Sequence, residues 1–177
     1  LGYAPEEIAL SARAALLAKA DLGSRVVYEF PELQGVIGEY YALAAGEDAQ
    51  VARAIAEHYL PRFAGDRLPE SRAGIAVALA DKIDSVCAFF AIGQAPSGSQ
   101  DPYALRRAAS GVVNIILHHQ LELSLRDAAA YAFELLEHDV PGFSAREFKN
   151  SVEAFIAFHS QRMETILGEA GFSYDTV

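Results

Sequence analysis

Asp21, His58 and Asp81 have the chemistry of metal ligands and lie on three separate predicted helices. Imidazole and carboxylate groups bind divalent cations, and helical bundles build such sites from side chains that face one another across the core. One His with two carboxylates is a small ligand set for a metal centre that cleaves phosphate esters. The alternative interpretation is that Asp21 and Asp81 pair with nearby Lys or Arg side chains or cap a turn. The residue types alone leave both interpretations open.

Two other pairs, His118-His119 and His138-Asp139, have the composition of metal-binding doublets. Adjacent helical residues point about 100° apart, so one helix cannot readily present both to a single ion. His138-Asp139 falls at a predicted helix end, where a cationic His complements the helix dipole. The single cysteine, Cys87, lies in an apolar helical stretch, and we expect a buried small hydrophobic residue rather than a nucleophile. The sequence contains no phosphate-binding glycine loop and no Gly-x-Ser-x-Gly elbow.

The basic residues are few, because the 177-residue chain has a formal net charge of −10. Binding to nucleic acid requires Lys and Arg against phosphates, so an acidic chain can bind it only through a local basic patch. The local concentrations of cation are Arg62 with Arg67, which flank a loop, and Arg106 with Arg107. If the chain binds RNA, we expect the contacts to be made by these four residues. The alternative for Arg106 and Arg107 is ion pairing with Asp101 or with acids on a neighbouring helix.

Helical periodicity runs through the whole chain, and no alternating strand pattern longer than a few residues interrupts it. The sequence therefore predicts an all-α fold, a helical bundle with a C-terminal helical extension. Asp101 is predicted to be an N-cap with Pro102 at the first helical position, and Ser124 and Ser144 to be further N-caps, the last with Glu147 in a capping box. The predicted helices cover residues 6–17, 25–30, 33–44, 49–59, 73–90, 102–119, 125–137 and 145–168.

The clearest break in the pattern is the segment rich in Gly, Ser and Pro at 93–101, which predicts a division into residues 1–93 and 94–177. The longest apolar run, 73–80, is too short to cross a bilayer. The chain starts at Leu1 without an initiator Met or a cationic leader, so we expect an internal fragment and no signal peptide. A single Cys fits a reducing compartment, and we expect a cytoplasmic location.

Several unusual blocks resemble the beta subunit of the bacterial two-subunit glycyl-tRNA synthetase. They occur in the same order as in that family and together span residues 19–109. The blocks are Lys19-Ala20-Asp21-Leu22, Glu29-Phe30-Pro31-Glu32-Leu33-Gln34-Gly35, Glu57-His58-Tyr59, Pro61-Arg62-Phe63-Ala64-Gly65-Asp66, Ala78-Leu79-Ala80-Asp81-Lys82-Ile83-Asp84, Ile92-Gly93 and Asp101-Pro102-Tyr103-Ala104-Leu105-Arg106-Arg107-Ala108-Ala109.

The middle region of that subunit is similar to the HD phosphohydrolase superfamily, which holds divalent metals with a His, a His-Asp doublet and a later Asp. Asp21 and Asp81 match the two Asp positions, and His58 corresponds to an auxiliary ligand. Ala20 stands where the doublet requires His, and residues 1–18 contain no His. The resemblance therefore implies a degenerate HD-like domain over residues 1–93, with no catalytic residue and no metal at these positions.

The resemblance further implies a noncatalytic module that supports tRNA binding and domain arrangement during glycyl-tRNA synthesis. The expected partners are glycine-specific tRNA and the alpha subunit, and no membrane. The candidates for tRNA binding are then Arg62, Arg67, Arg106 and Arg107. We expect no cofactor in this chain, since ATP is used on the alpha subunit. Two alternatives stay open: an active HD-type metal-dependent phosphohydrolase, and a purely structural helical spacer.

Overall fold

All regular secondary structure in the described part of the chain is helical, which confirms the predicted all-α class. The structure, a computed structural model, describes residues 1–96, 101–137 and 145–172, except for the side chains of 145–148. Within these residues the helices are α1 (Pro5–Leu17), α2 (Arg25–Glu29), α3 (Val36–Ala44), α4 (Ala49–Glu57), α5 (Arg72–Ala91), α6 (Leu105–His118), α7 (Leu125–Leu136) and α8 (Ala145–Glu169), with short 3₁₀ helices at Ala20–Gly23 and Pro31–Leu33.

The chain forms two compact units, Leu1–Asp81 and Lys82–Val177. The division falls within α5, so this long apolar helix contributes to both units. The division into functional domains at residues 93 and 94 stays a prediction. None of the helices in the described residues is both long enough and apolar enough to span a membrane.

The core of the first unit is built from small and β-branched side chains, which let helices approach closely. Both α1 and α3 pack on α4. Gly38 of α3 lies directly against α4: a Cβ atom at this position would be 2.8 Å from Ile55 Cγ2. The buried apolar residues of this cluster are Ala14, Ala18, Ala42, Val51, Ala52, Ala54, Ile55, Ala73 and Val77.

Helix α3 starts three residues later than the periodicity predicted. Phe30, with φ −132° and ψ 76°, lies outside the helical region before Pro31, and Pro31–Leu33 forms a separate 3₁₀ turn. Gly35 then takes a positive φ of 80° and serves as the N-cap of α3. A left-handed backbone at this position favours glycine, and this requirement moves the helix start to Val36.

Helix α6 also starts later than predicted, and Pro102 is not its first residue. The N-cap is Ala104, which has a left-handed backbone with a φ of 55°. Asp101 still serves the helix start from one turn upstream, because its carboxylate accepts the N–H groups of Leu105 at 2.8 Å and Arg106 at 3.0 Å. The predicted capping function of Asp101 holds, although its position relative to the helix was wrong.

The second unit packs α6 and α7 on α8. Ser124 caps α7 as predicted, since its hydroxyl oxygen accepts the N–H of Asp127 at 3.2 Å.

Cys87 is fully buried, and burial together with Asp84 raises the pKa of its thiol to about 12, which suits a core residue and not a nucleophile. The predicted capping box of Ser144 and Glu147 lies outside the described side chains. Buried core residues of this unit include Val86, Leu105, Ala109, Val112, Val113, Ile115, Phe133, Val152 and Phe155.

A buried acid, Glu57, connects the end of α4 to the start of α5. Its Oε2 accepts the backbone N–H of Ser71 at 3.0 Å and the Ser71 hydroxyl at 2.5 Å, while Arg53 Nε donates to Oε1 at 2.7 Å. Ser71 in turn accepts the N–H of Gly74 in the first turn of α5. Burial alone would raise the pKa of Glu57, but the hydrogen bonds from Ser71 and Arg53 lower it below its ordinary value. This connection positions α5, which carries Asp81.

We expect Glu57→Gln to lower the free energy of unfolding at pH 7 by about 1.5–3 kcal/mol, the usual range for hydrogen bonds to a charged group. A carboxyl group with a lowered pKa in the folded chain contributes stability above its unfolded pKa, and this contribution is lost as the pH falls through the folded pKa. The difference between wild type and variant should therefore shrink in acid. Urea unfolding between pH 7 and pH 3 measures this, with Glu70→Gln as the control, because Glu70 binds the same Arg53 at an exposed site. An equal effect of both substitutions would contradict it.

Gly38→Ala should destabilise the chain, because the added methyl group would lie 2.8 Å from Ile55 Cγ2 and 3.1 Å from Asp21 Oδ2. Overpacking costs about 1–3 kcal/mol, and the better helix propensity of Ala offsets up to about 1 kcal/mol of this. Gly168→Ala is the matched control, since nothing lies within 4 Å of a Cβ atom at that helical position, and it should stabilise slightly. Urea unfolding followed by circular dichroism distinguishes the two. A Gly38→Ala chain as stable as wild type would show that α3 and α4 are not tightly packed at Gly38.

Candidate functional site

Asp21 is a buried carboxylate, 3% exposed, on the 3₁₀ turn Ala20–Gly23. Its Oδ2 accepts the N–H of Gly35 at 2.6 Å, so the side chain holds the residue that caps α3. Gly38 lies beside the same carboxylate. Among the described residues no protein donor reaches the other oxygen, Oδ1. Asp21 therefore binds the backbone of the turn before α3, in agreement with the alternative that Asp21 caps a turn.

Asp81 forms an ion pair with Lys19, whose Nζ lies 2.5 Å from Asp81 Oδ1. The Lys19 side chain is half exposed and that of Asp81 is about a quarter exposed, so water screens the pair. Lys19 immediately precedes Ala20, the position at which the HD pattern requires His. The Asp81 carboxylate is therefore compensated by the ammonium group of Lys19 and not by an imidazole.

His58 lies at the end of α4 and is fully buried. Its Nδ1 donates to the carbonyl of Ile55 at 2.5 Å, which fixes the tautomer with the proton on Nδ1. The adjacent Tyr59 ring packs against the backbone of Gly35, where a Cβ atom would be 2.5 Å from Tyr59 Cδ2. Burial, and then the charges of Asp21 and Asp81, raise the pKa of the Tyr59 hydroxyl to about 12. The Tyr59 hydroxyl thus lies within electrostatic range of both Asp21 and Asp81.

The residues present do not fit a divalent metal of the HD type. Ala20 has no ligand atom, Asp21 already accepts a backbone N–H, and the Lys19 ammonium competes with any cation at Asp81. In the described part of the chain, no three His, Cys, Asp or Glu side chains are grouped so that they could hold an ion. His118 and His119 meet ring edge to ring face, with centroids 4.7 Å apart. The pair His138-Asp139 lies outside the described residues.

Arg62 is committed to internal contacts. Its Nη2 donates to the carbonyl of Gln34 at 3.0 Å and its Nη1 to that of Glu32 at 3.4 Å, and the guanidinium lies 5.8 Å from the centre of the Tyr59 ring. These contacts connect the loop after α4 to the segment before α3. Of the two arginines that flank this loop, Arg62 therefore has its guanidinium engaged within the first unit.

Arg67 is exposed, and its guanidinium has no hydrogen bond or ion pair with the described residues. The loop that carries it is held by Asp66, whose carboxylate accepts the N–H of Arg62 and the N–H of Arg67, both at 2.8 Å. The carboxylate of Asp66 is thus directed to the backbone. The Arg67 side chain remains available to solvent.

Arg106 and Arg107 differ in the same way on α6. Arg107 is exposed, and its side chain makes no hydrogen bond or ion pair within the described ranges, whereas Arg106 is partly buried and engaged with other groups. Arg67 belongs to the first unit and Arg107 to the second. The structure thus separates the four candidates into two exposed arginines, Arg67 and Arg107, and two partly buried arginines with other contacts, Arg62 and Arg106.

Some residues that complete this arrangement were not predicted from the sequence. Lys19 directly precedes Ala20, and its charge is the one signal that could have assigned it to Asp81. Nothing in the spacing of Glu57 and Ser71 indicates their hydrogen bonds. The internal contacts of Arg62 with backbone carbonyls also have no sequence signature.

The chain is thus an all-helical module in which a backbone N–H binds the Asp21 carboxylate and Lys19 pairs with the Asp81 carboxylate. Comparison with known proteins identifies its family. The sequence model of the family described as "Glycyl-tRNA synthetase beta subunit" matches residues 3–177. The chain belongs to this family, which confirms the resemblance seen in its sequence blocks.

Curated relatives agree with the family match. The chain is 53% identical over 165 residues to the glycine–tRNA ligase beta subunit of Syntrophomonas wolfei, which covers 93% of this chain and 24% of that protein. It is 48% identical over 173 residues to that of Moorella thermoacetica, covering 97% and 25%. It is 46% identical over 177 residues to that of Desulfitobacterium hafniense, covering 100% and 25%. The chain therefore spans about a quarter of the length of the curated relatives it matches.

Asp21→Ala should lower the free energy of unfolding by about 1.5–3 kcal/mol, because it removes the charged acceptor of the Gly35 N–H. Asp21→Asn keeps an oxygen acceptor and should cost less. Urea unfolding of the two variants measures this order, with Glu29→Ala, at an exposed acid that ends α2, as the control. Equal stability of wild type and Asp21→Ala would show that the carboxylate does not hold the start of α3.

Proposed function

We propose that this chain is a noncatalytic module of a glycine–tRNA ligase beta subunit, which supports tRNA binding and the arrangement of neighbouring domains during glycyl-tRNA synthesis. Its partners are then glycine-specific tRNA and the alpha subunit, in the cytoplasm. Adenylate formation from glycine and ATP takes place on the alpha subunit, and this chain needs no cofactor. The family membership and the absence of a nucleotide-binding glycine loop from the sequence support this assignment.

The observation that carries the RNA-binding part of the proposal is the state of Arg67 and Arg107. In a chain of net charge −10, these two guanidinium groups are exposed and have no ion pair with a described residue. Each follows a segment whose backbone is fixed by an aspartate, Asp66 or Asp101. A guanidinium on a fixed backbone suits phosphate, because it binds two oxygens at once and loses little conformational entropy on binding.

The spacer alternative is favoured by one specific observation, the internal role of Arg62. If Arg67 and Arg107 also served only the folded state or solubility, the module would position its neighbours without contacting RNA. The phosphohydrolase alternative has no comparable support, because the ligand set at Asp21 and Asp81 does not fit a divalent metal.

We expect Arg67→Ala and Arg107→Ala, each placed in the complete two-subunit synthetase, to weaken tRNA binding about ten- to a hundredfold, as for the removal of one charged hydrogen bond. The dependence of the binding constant on salt should flatten by about one unit of slope for each phosphate that the protein no longer neutralises. Filter binding at several salt concentrations measures both quantities. Glycine-dependent pyrophosphate exchange should be unchanged, since it reports adenylate formation alone.

Arg126→Ala is the matched control, because Arg126 is an exposed arginine that already pairs with Glu153 at 2.6 Å. It should leave tRNA affinity and its salt dependence unchanged. Normal tRNA binding by both test variants would refute the RNA-contact proposal and support the spacer. A variant with lower stability but normal binding would lead to the same conclusion.

A further inference from the structure

The loop between α4 and α5 carries an exposed aromatic ring and an exposed cation four residues apart. Phe63 is 60% exposed. Arg67 is also exposed, and its guanidinium has no hydrogen bond or ion pair with a described residue. One exposed apolar side chain is ordinary on a protein surface. This one differs because it shares a short loop with a guanidinium that is open to solvent.

The backbone of this loop is fixed by a tight turn. The carbonyl of Phe63 accepts the N–H of Asp66 at 3.2 Å, and Gly65 takes a positive φ of 81° within the turn. The Asp66 carboxylate accepts the N–H groups of Arg62 and Arg67, both at 2.8 Å. The ends of a β-turn lie within about 7 Å and consecutive Cα atoms about 3.8 Å apart, so the Cα atoms of Phe63 and Arg67 are at most about 11 Å apart.

Arg62 holds this loop on the rest of the first unit. Its Nη2 donates to the carbonyl of Gln34 at 3.0 Å and its Nη1 to that of Glu32 at 3.4 Å. Phe30, two residues before Glu32, is 54% exposed. Two exposed aromatic side chains, Phe30 and Phe63, thus lie on backbone segments that Arg62 holds together.

The acids nearest to Arg67 in the sequence do not neutralise it. Asp66 directs its carboxylate to two backbone N–H groups, and Glu70 pairs with Arg53 at 2.8 Å. The exposed Glu32 lies on the segment that Arg62 binds. An anionic ligand is therefore drawn to the Arg67 end of the loop and away from that segment.

An aromatic ring and a guanidinium at this spacing are the groups that bind an unpaired nucleotide. The open face of its base stacks on an aromatic side chain, and the guanidinium binds two oxygens of its phosphate. In a paired stem both faces of a base are covered by neighbouring bases, so Phe63 would gain nothing there. An apolar protein partner would bury Arg67 without an anion, which leaves an uncompensated charge.

We infer that the loop of residues 62–67 binds an unpaired nucleotide of tRNA, with the base stacked on Phe63 and the phosphate on Arg67. This inference rests on the proposed tRNA contact and narrows it. Arg67 alone can bind the backbone of a stem or of a loop, whereas Phe63 selects a nucleotide outside a stem. Phe63 contributes no charge, so its part in binding can be separated from that of Arg67 by varying the salt concentration.

The test places Phe63→Leu and Phe63→Tyr in the complete two-subunit synthetase and measures tRNA affinity by filter binding at several salt concentrations. Phe63→Leu should weaken binding at least about fivefold, the lower end of the effect of losing one base–aromatic stack. The dependence of affinity on salt should stay that of wild type, since no charge is removed. Phe63→Tyr keeps the ring and should bind normally. Tyr131→Leu, at an exposed aromatic of the second unit, is the control and should change neither quantity.

A second measurement identifies the nucleotide. Phe63 is replaced by the photoreactive amino acid p-benzoylphenylalanine in the same synthetase, and the crosslinked tRNA is mapped by primer extension. The crosslink should fall on a nucleotide outside the stems. The same amino acid in place of Tyr131 should give no crosslink at that nucleotide.

The outcomes separate this inference from the proposed function. Normal binding by Phe63→Leu together with weak binding by Arg67→Ala would overturn the inference and leave the phosphate contact in place. Normal binding by both variants would overturn the inference and the proposed contact together. Crosslinks to paired nucleotides alone would show that the loop follows a stem, and crosslinks to the alpha subunit instead of tRNA would show a protein interface.

Folding is checked by thermal unfolding of each variant. Because Phe63 is exposed, Phe63→Leu should unfold at the wild-type temperature. Weak binding that Phe63→Tyr does not restore, in a chain with a lowered unfolding temperature, would show that the ring serves the fold and would also overturn the inference.

Discussion

The hydrogen bond from Gly35 N–H to Asp21 Oδ2 is the constraint on which the first unit depends. Asp21 is buried, and a buried carboxylate needs a donor at close range. The donor comes from the residue that caps α3, so this bond joins the turn after α1 to the start of α3. Gly35 and Gly38 must then be glycines, because the first needs a positive φ and the second lies against Asp21 and Ile55. The same hydrogen bond thus fixes the start of α3 and occupies one of the two oxygens of the Asp21 carboxylate.

Acids elsewhere in the chain follow the same rule, which explains how a strongly acidic sequence keeps exposed arginines. Asp66 and Asp101 each accept two backbone N–H groups. Such carboxylates are satisfied by the backbone and need no cationic side chain. Arginines that follow them in the sequence therefore stay exposed without an ion pair to a described residue, as Arg67 does.

Periodicity predicted the long helices well, because apolar spacing over three or more turns is a strong signal. The starts of α3 and α6 were wrong for a local reason: each depends on one residue with a left-handed backbone, Gly35 or Ala104, and spacing carries no information about φ. The residues of the candidate site could be predicted from the sequence. The groups that their side chains contact could not. Whether Asp81 meets a metal or Lys19 depends on distances of a few ångströms between segments that are far apart in the sequence, which no local pattern encodes.

Asp21 and Asp81 are not equivalent in this fold, and their difference follows from burial. Asp81 is partly exposed, so a flexible, half-exposed lysine compensates it at little cost and can be displaced at little cost. Asp21 is almost fully buried, so only a fixed backbone donor reaches it, and its second oxygen has no described protein donor. Replacing Ala20 with His would change neither condition. Because Lys19 and the Gly35 N–H would still engage the two carboxylates, His at position 20 would not by itself complete a metal site in this fold.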